Sequence, residues 1–500
     1  MIAIPAGWRR AAGATGLVAL ALVLLRALTM LGVTVGRALG YPYDLDYGEG
    51  IVWQQMSNIV AGTGYAPLGT FPAIVYHYPP VYHLAVAGLA AATGLDPLVA
   101  GRGLSAASTL ASMALIGRLA FVAAAPQPRP AALIGATAGA LAFVAGPTVI
   151  FWSSLMRVDM LATALSLGGL CCTLRELRLP RRFPVAAILF ALAVYTKQTA
   201  IVAPLAAFVT LLLVRPRAAW RLALTCGAIG VAALGVAMIA TGGGFLTHVV
   251  SYNVNRVDLT RWYPTAATLG TQAAMLTVAA AVAWRARSGL RDRPAVLLLV
   301  VYLLFRVATL PLALKSGASD NYLIDLFSVG AALFGAGVAA IAGAVLDGSP
   351  WPRPIITIIA LVAVPIQGAR LEPVHQIAAH GPSRDALATL VARIRVARSP
   401  VISDYMILIR RAGRPVSFEP AIAAELAHSR LYDETALIRM IRDRRFAFFI
   451  NQGSGDGYRQ RYNPAVRAAI ADAYPRIETS GELVIRSPVS RAGPAVSPRP

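Results

Sequence analysis

The stretch "LALVLLRALTMLGVTVGRALGYPYDLDYGEG", Leu20 to Gly50, runs an apolar segment straight into three carboxylates, Asp44, Asp46 and Glu49. Upstream lies a basic head at Arg9 and Arg10, as in a secretory signal. The segment is too long for one, carries Arg26 and shows no small-residue cleavage site, so it reads as a retained first helix. A solvated loop tolerates three acids beside a bilayer but gains nothing from them, whereas ionisable groups near lipid are costly and mark function.

The rest of the chain fits a bilayer. Of its 500 residues, 57% are hydrophobic and 14% charged, with a mean hydropathy of +0.63. An average soluble domain has roughly 45–50% apolar and about 25% charged residues. The formal net charge is +22, yet the cations sit in short clusters between apolar runs. That is the pattern of cytoplasmic anchors and lipid contact, and it argues against nucleic-acid binding. Cys171, Cys172 and Cys226 lie inside apolar runs and suggest neither a disulfide framework nor a metal site. Only two cations are lysines, Lys197 and Lys315; all the others are arginine.

A span needs about 20 mostly apolar residues, with a lower limit near 17. After the first helix, candidates are 97–123, 131–150, 158–174, 183–197, 198–214, 218–241, 265–284, 294–313, 323–345 and a short one at 354–369. The connections at 175–182, 215–221, 285–293 and 347 onward are short and mostly arginine-rich, so the positive-inside rule makes them cytoplasmic with the N-terminus. The other connections, 38–96, 146–157, 242–264 and 314–322, carry aromatics, acids and histidines and fall outside. The expectation is an all-α polytopic membrane domain of about eleven spans, over residues 1–369, in a bacterial plasma membrane. The segment 81–93 follows Pro79 and Pro80 and is short for a span, so it reads as an interfacial helix. Past residue 370 hydropathy falls. "SPVISDYMILIRRAGRPVSFEP" reads as strand, helix, turn and strand, and "RRFAFFINQG" and "ELVIRSP" read as further strands, giving a small extracytoplasmic α/β domain at 370–487. A Pro/Ser-rich tail, expected to be disordered, closes the chain at 488–500.

The order of elements in the first part is informative: the acidic cluster, an amphipathic segment ending "AGTGY", then "YPP", then an arginine in "GRGLS". With "YTKQTAIVAPLA" and "KSGASDNYLID" further on, the chain resembles membrane glycosyltransferases of the GT-C fold. Among them it is most similar to the protein O-mannosyltransferase, aminoarabinose transferase and lipopolysaccharide galacturonosyltransferase group. The resemblance rests on order and spacing and covers most of the membrane region. It implies transfer of a hexosyl or pentosyl unit from a polyprenyl-phosphate carrier to an outer-face acceptor, with an acid of the first outer loop as general base. The family's loop usually reads Asp-Glu. Aligning that Glu with Glu49 puts Gly48 where its Asp would be, which makes Asp46 the expected base and leaves Asp44 or Glu49 to help bind donor or acceptor.

The chemistry stands without the family. Displacing phosphate from an anomeric carbon needs a carboxylate to take the hydroxyl proton and cations to meet charge on the departing phosphate. Lys197 and Lys315 both fall at outer helix ends against the positive-inside tendency, although snorkelling would account for either one alone. Arg102, Arg157 and Arg256 are further outer cations, and Arg157 has Asp159 two residues on as a structural ion-pair partner. His77, Tyr78, Tyr82, Asn321 and Tyr322 are candidate sugar or pyrophosphate contacts, and the tyrosines equally suit an aromatic belt. His77, His83 and His248 lack metal-ligand spacing. No cofactor is required. The Asp44-x-Asp46 spacing resembles a divalent-cation motif, but a monophosphate carrier does not demand the ion. Competing readings are a transporter or flippase of a lipid-linked sugar, which would want ionisable groups at mid-span, and a non-catalytic assembly partner.

Overall fold

The computed structural model describes residues 6–69, 71–178, 185–253, 255–347, 383–453, 458, 461–480 and 483–489. In chain order the helices begin α1 (Ala6–Leu39), α2 (Tyr47–Val60), α3 (Val81–Thr93), α4 (Pro97–Ala123), α5 (Arg129–Phe143) and α6 (Pro147–Ser153). They continue α7 (Asp159–Arg178), α8 (Val185–Val194), α9 (Val202–Val214), α10 (Pro216–Ala240), α11 (Gly244–Leu246), α12 (Trp262–Gly270) and α13 (Ala273–Ala286). Then come α14 (Pro294–Ala308), α15 (Ile324–Asp347), α16 (Arg384–Val396), α17 (Met406–Arg411), α18 (Pro420–His428), α19 (Thr435–Arg442) and α20 (Pro464–Ala473). The strands are β1 (Ile402–Ser403), β2 (Phe449–Gln452), β3 (Arg476–Ser480) and β4 (Leu483–Ser487).

The chain forms two compact units. The first comprises Met1–Tyr41, Tyr78–Gly243 and Arg256–His375; the second comprises Pro42–His77, Gly244–Asn255 and Gln376–Pro500.

The first unit is a helical bundle around α15, which is buried along most of its length and packs against α4, α5, α13 and α14. Without a hydrophobic drive between helices in lipid, close backbone approach does the work, and small residues permit it. A Cβ on Gly135 of α5 would stand 2.3 Å from the Gly335 carbonyl of α15, and one on Gly139 2.8 Å from that of Ala331. By contrast α10 leaves Leu224, Val231, Val236 and Ile239 exposed, an apolar face that a bilayer would cover. Helix starts follow local chemistry: Asp96 caps α4, accepting from Leu98 N and Val99 N, with Pro97 at the first helical position. Gly94 ends α3 in the left-handed conformation, at φ 71°.

Among the described residues six helices are long and apolar enough to cross a membrane, or eight if each bent pair is one span. Two expected spans are therefore broken. The run 131–150 is α5 and α6 bent by 73°, and 265–284 is α12 and α13 bent by 78°. The runs 183–197 and 198–214 are the shorter α8 and α9, because Lys197 and a 3₁₀ turn at Gln198–Ile201 stand between them. The span expected at 354–369 lies outside the described residues, as does nearly all of the 488–500 tail.

The second unit carries a four-stranded sheet ordered β1-β2-β4-β3, with β1 parallel to β2 and the other pairs antiparallel. Its core joins Ile402, Phe449, Leu437, Ile441, Val466 and Ile470 to Leu68, Ala73 and Val75 of the first loop. Segments 42–77 and 244–255, expected with the membrane domain, thus share a core with the C-terminal region. The strand expected near 415–418 contributes only an isolated bridge from Phe418 to Ala73.

Candidate functional site

In the second unit, the acidic stretch is built around a helix start. Asp46 is the N-cap of α2, with its Oδ2 accepting from Gly48 N at 2.8 Å. Three residues on, Glu49 reaches back so that its Oε2 accepts from Leu45 N at 2.9 Å. This reciprocal pairing is a variant of the capping box, and both carboxylates also lie where the helix dipole favours anions. Glu49 is 0% exposed, whereas Asp44 and Asp46 are only half-buried. Asp44 Oδ1 accepts from Ile407 N at 3.1 Å, at the start of α17. α17 sits tightly on α2: a Cβ at Gly50 would come within 2.5 Å of Met406 Cβ, and Arg410 donates to Gln54 and Ser57. Next to Asp46, the Tyr47 ring lies 4.3 Å beneath the Arg461 guanidinium, which pairs with buried Asp404 at 3.1 Å.

The same unit holds a histidine clip. His248 Nδ1 accepts from Tyr76 N at 3.2 Å, which fixes the proton on Nε2, and Nε2 donates to the Ala66 carbonyl at 2.9 Å. His77 Nε2 sits 3.0 Å from the Tyr252 carbonyl. Burial pushes the His248 pKa down, with the Ala66 carbonyl pulling weakly the other way. A base whose folded pKa is depressed destabilises the fold as pH falls below its ordinary value, about 6.5, because the unfolded chain then binds the extra proton. Protonation of Nδ1 also removes the acceptor for Tyr76 N–H. Amide exchange at Tyr76 is therefore expected to accelerate as pH drops from 7.5 through about 6 relative to the intrinsic rate, and a flat profile would contradict this assignment.

In the first unit, the polar side chains converge where α7, α8 and α15 begin or end. Asp159 is the first residue of α7, where the helix dipole favours a carboxylate. Its Oδ1 accepts from Lys197 Nζ at 2.6 Å and from Asn321 Nδ2 at 2.8 Å. Lys197 and Asp159 are both buried, and Lys197 Nζ lies 4.9 Å from the Tyr322 ring centroid. The Tyr78 phenol stands in the field of Arg157, Asp159, Lys197 and Tyr322, and burial pushes it up to about 12. Arg157 stacks on Trp152 at 5.2 Å. Beside it, Asp320 accepts from Trp152 Nε1 at 2.7 Å and Thr148 Oγ1 at 2.9 Å. Among the described residues, Asp159 Oδ2 and Asn321 Oδ1 are buried without a hydrogen-bond partner. Such orphaned acceptors are rare in folded proteins and suit a site that binds hydroxyl donors.

Tyr78, Arg157, Lys197, Asn321 and Tyr322, candidates scattered through the sequence, are thus neighbours in one cluster. Its hub is Asp159, which pairs with Lys197 and also stands in the field of the nearby Arg157. Trp152 and Thr148, absent from the sequence reading, orient the adjoining Asp320. Other candidates sit elsewhere. Arg102 is 1% exposed and donates from Nη1 to the Ala38 and Tyr41 carbonyls, closing the end of α1. Tyr82 Oη donates to the Gly101 carbonyl, inside the α3–α4 contact. Arg256 and Lys315 lie on adjoining backbone segments, where Ser316 N donates to the Arg256 carbonyl and Val257 bridges Lys315. A second ion pair, buried Arg306 with half-buried Asp325, is supported by Thr163 and Tyr302. Among the described residues, no three His, Cys, Asp or Glu side chains are grouped to hold a metal ion.

No family model and no curated protein matches this sequence. Solved structures match its fold. ArnT from Cupriavidus metallidurans bound to undecaprenyl phosphate superposes with a TM-score of 0.57 at 14% identity, over 95% of this chain and 99% of that one. The apo state of the same protein gives 0.59 at 14% identity, over 94% and 97%. The Archaeoglobus fulgidus oligosaccharyltransferase, in a complex with Zn and sulfate, gives 0.53 at 11% identity over 87% and 68%. At such identities the likeness is one of fold: the chain has the fold of these GT-C membrane proteins.

Proposed function

We propose that the protein is a membrane glycosyltransferase that takes a sugar from a polyprenyl-phosphate donor and passes it to an extracytoplasmic acceptor. The observation that carries the reading is the buried Lys197–Asp159–Asn321 cluster, with Tyr78, Arg157 and Tyr322 around it, in a chain whose fold matches ArnT end to end. A buried cation held by a single carboxylate is suited to a phosphate, and the orphaned acceptors of Asp159 and Asn321 are suited to sugar hydroxyls.

In the proposed reaction an acceptor hydroxyl oxygen attacks the anomeric carbon as the bond from that carbon to the phosphate oxygen breaks. The electron pair leaves with the polyprenyl phosphate, the hydroxyl proton passes to a carboxylate, Asp46 in this reading, and the anomeric configuration inverts. Lys197 is the proposed phosphate cation, with Arg157 beside it in the cluster. Asp44 and Glu49 hold the loop that presents Asp46, as their backbone contacts to Ile407 and Leu45 support.

The test is purified full-length protein in lipid nanodiscs, supplied with radiolabelled polyprenyl-phosphate sugars and envelope extracts as acceptor. The expected result is release of polyprenyl phosphate with label moved to an acceptor fraction. Transmembrane movement of intact carrier without cleavage would establish a flippase instead.

A further inference from the structure

The end of the first unit opposite Asp159 carries a feature the proposed reaction does not use. Asp159 opens α7 and Arg175 lies in its last turn, and Arg102 and Arg118 lie towards the two ends of α4. Sixteen residues of helix separate each pair, about 24 Å. At the far end a cavity of about 420 Å³ opens between α4, α13, α14 and α15. Its polar rim is formed by Arg285, Arg293, Ser288 and Gln127, and its wall by apolar residues including Val282 and Ile341. Among the described residues, neither the Arg285 nor the Arg293 guanidinium makes a hydrogen bond or ion pair, and nearby Asp292 pairs with neither. Arg287, between them in sequence, is instead satisfied by its own helix: it stacks on Trp284 at 4.1 Å and donates to the Trp284 carbonyl.

We propose that this cavity binds the phosphate headgroup of an anionic phospholipid, with an acyl chain against the apolar wall. Two forked guanidinium groups without protein partners match a phosphodiester, which each can engage through two hydrogen bonds. The apolar wall decides between a lipid and a free anion, since inorganic phosphate gains nothing from Val282 or Ile341. The position agrees with the orientation expected from the arginine-rich connections, because anionic lipid enriched in the inner leaflet would meet this end. A second cavity at the same end, between α4 and α7, is lined by Arg118 and Arg175 and repeats the pairing of two arginines with apolar helix surface.

The experiment uses the full-length protein in nanodiscs of phosphatidylcholine doped with phosphatidylglycerol, with lipid retention read by native mass spectrometry. Two arginines are expected to give roughly a 30-fold preference for phosphatidylglycerol over phosphatidylcholine. The Arg285→Gln/Arg293→Gln variant should lose most of it, and Arg287→Gln should keep it. Ala340→Phe, which leaves both arginines in place and fills the cavity, should also lose it, so a folding defect of the double variant does not shelter the proposal. A parent protein without the preference, a double variant that retains it, or displacement of the lipid by an excess of inorganic phosphate would each overturn it.

Discussion

Asp159→Asn is expected to lower the stability of the helical bundle by about 3–5 kcal/mol, because it leaves Lys197 charged, buried and without its counterion. The carbonyl of the new amide would still accept from Asn321, so the loss falls on the ion pair. Lys197→Met alone should cost a similar amount by stranding the carboxylate. The double variant should recover much of the stability, since an uncharged pair of similar volume avoids the desolvation of both ions. Thermal unfolding of the detergent-solubilised protein, arranged as a double-mutant cycle, measures this coupling. Activity separates the roles: a purely structural pair predicts that the double variant transfers sugar, whereas a phosphate-binding Lys197 predicts that it folds and does not. A stable Asp159→Asn protein would show that Lys197 loses its charge or finds another partner.

The helices were legible where a single uninterrupted apolar run carried its own stop signals. The boundaries expected at 97–123 match α4 because Asp96-Pro97 is a cap and first turn in sequence as in structure. The break within 131–150 was visible only as Gly146-Pro147, and hydropathy averages over such a bend. β3 was missed because "RIETS" buries almost nothing and has no apolar alternation to detect. The site was half legible. Residue types and sides of the membrane put Lys197, Asn321 and Tyr322 on a common face, but the partner of Asp159 stands 38 positions away. Arg157, two residues from Asp159, is visible in the sequence as a neighbouring charge and does act on Asp159. The merging of segments 42–77 and 244–255 with the C-terminal unit depends on long-range contacts such as Tyr76 to His248, for which sequence pattern holds no signal.

Asp46→Asn is the substitution expected to separate chemistry from architecture. Asn is as good an N-cap as Asp, so the side-chain oxygen that accepts from Gly48 N is kept and α2 starts where it did. What is lost is a proton acceptor, and removing a general base lowers turnover by roughly 10²–10⁴-fold. The melting temperature should therefore stay within a degree or so of the parent, a surface-scale perturbation, while turnover collapses. Glu49→Gln makes the opposite comparison. Glu49 is fully buried with its Oε2 on Leu45 N, a bond that a glutamine carbonyl can also accept, so its activity should remain within about threefold of the parent. Asp44→Asn likewise keeps an acceptor for Ile407 N and should show a modest effect. If Asp46→Asn retained turnover while Glu49→Gln abolished it, the base would be the buried carboxylate, and α2 would have to unwind at its first turn to expose it. Tyr47 stacked under Arg461 and Gly50 pressed against Met406 both oppose that motion. The half-buried Asp46, exposed enough to meet a hydroxyl and held in place by the helix it caps, needs no such rearrangement.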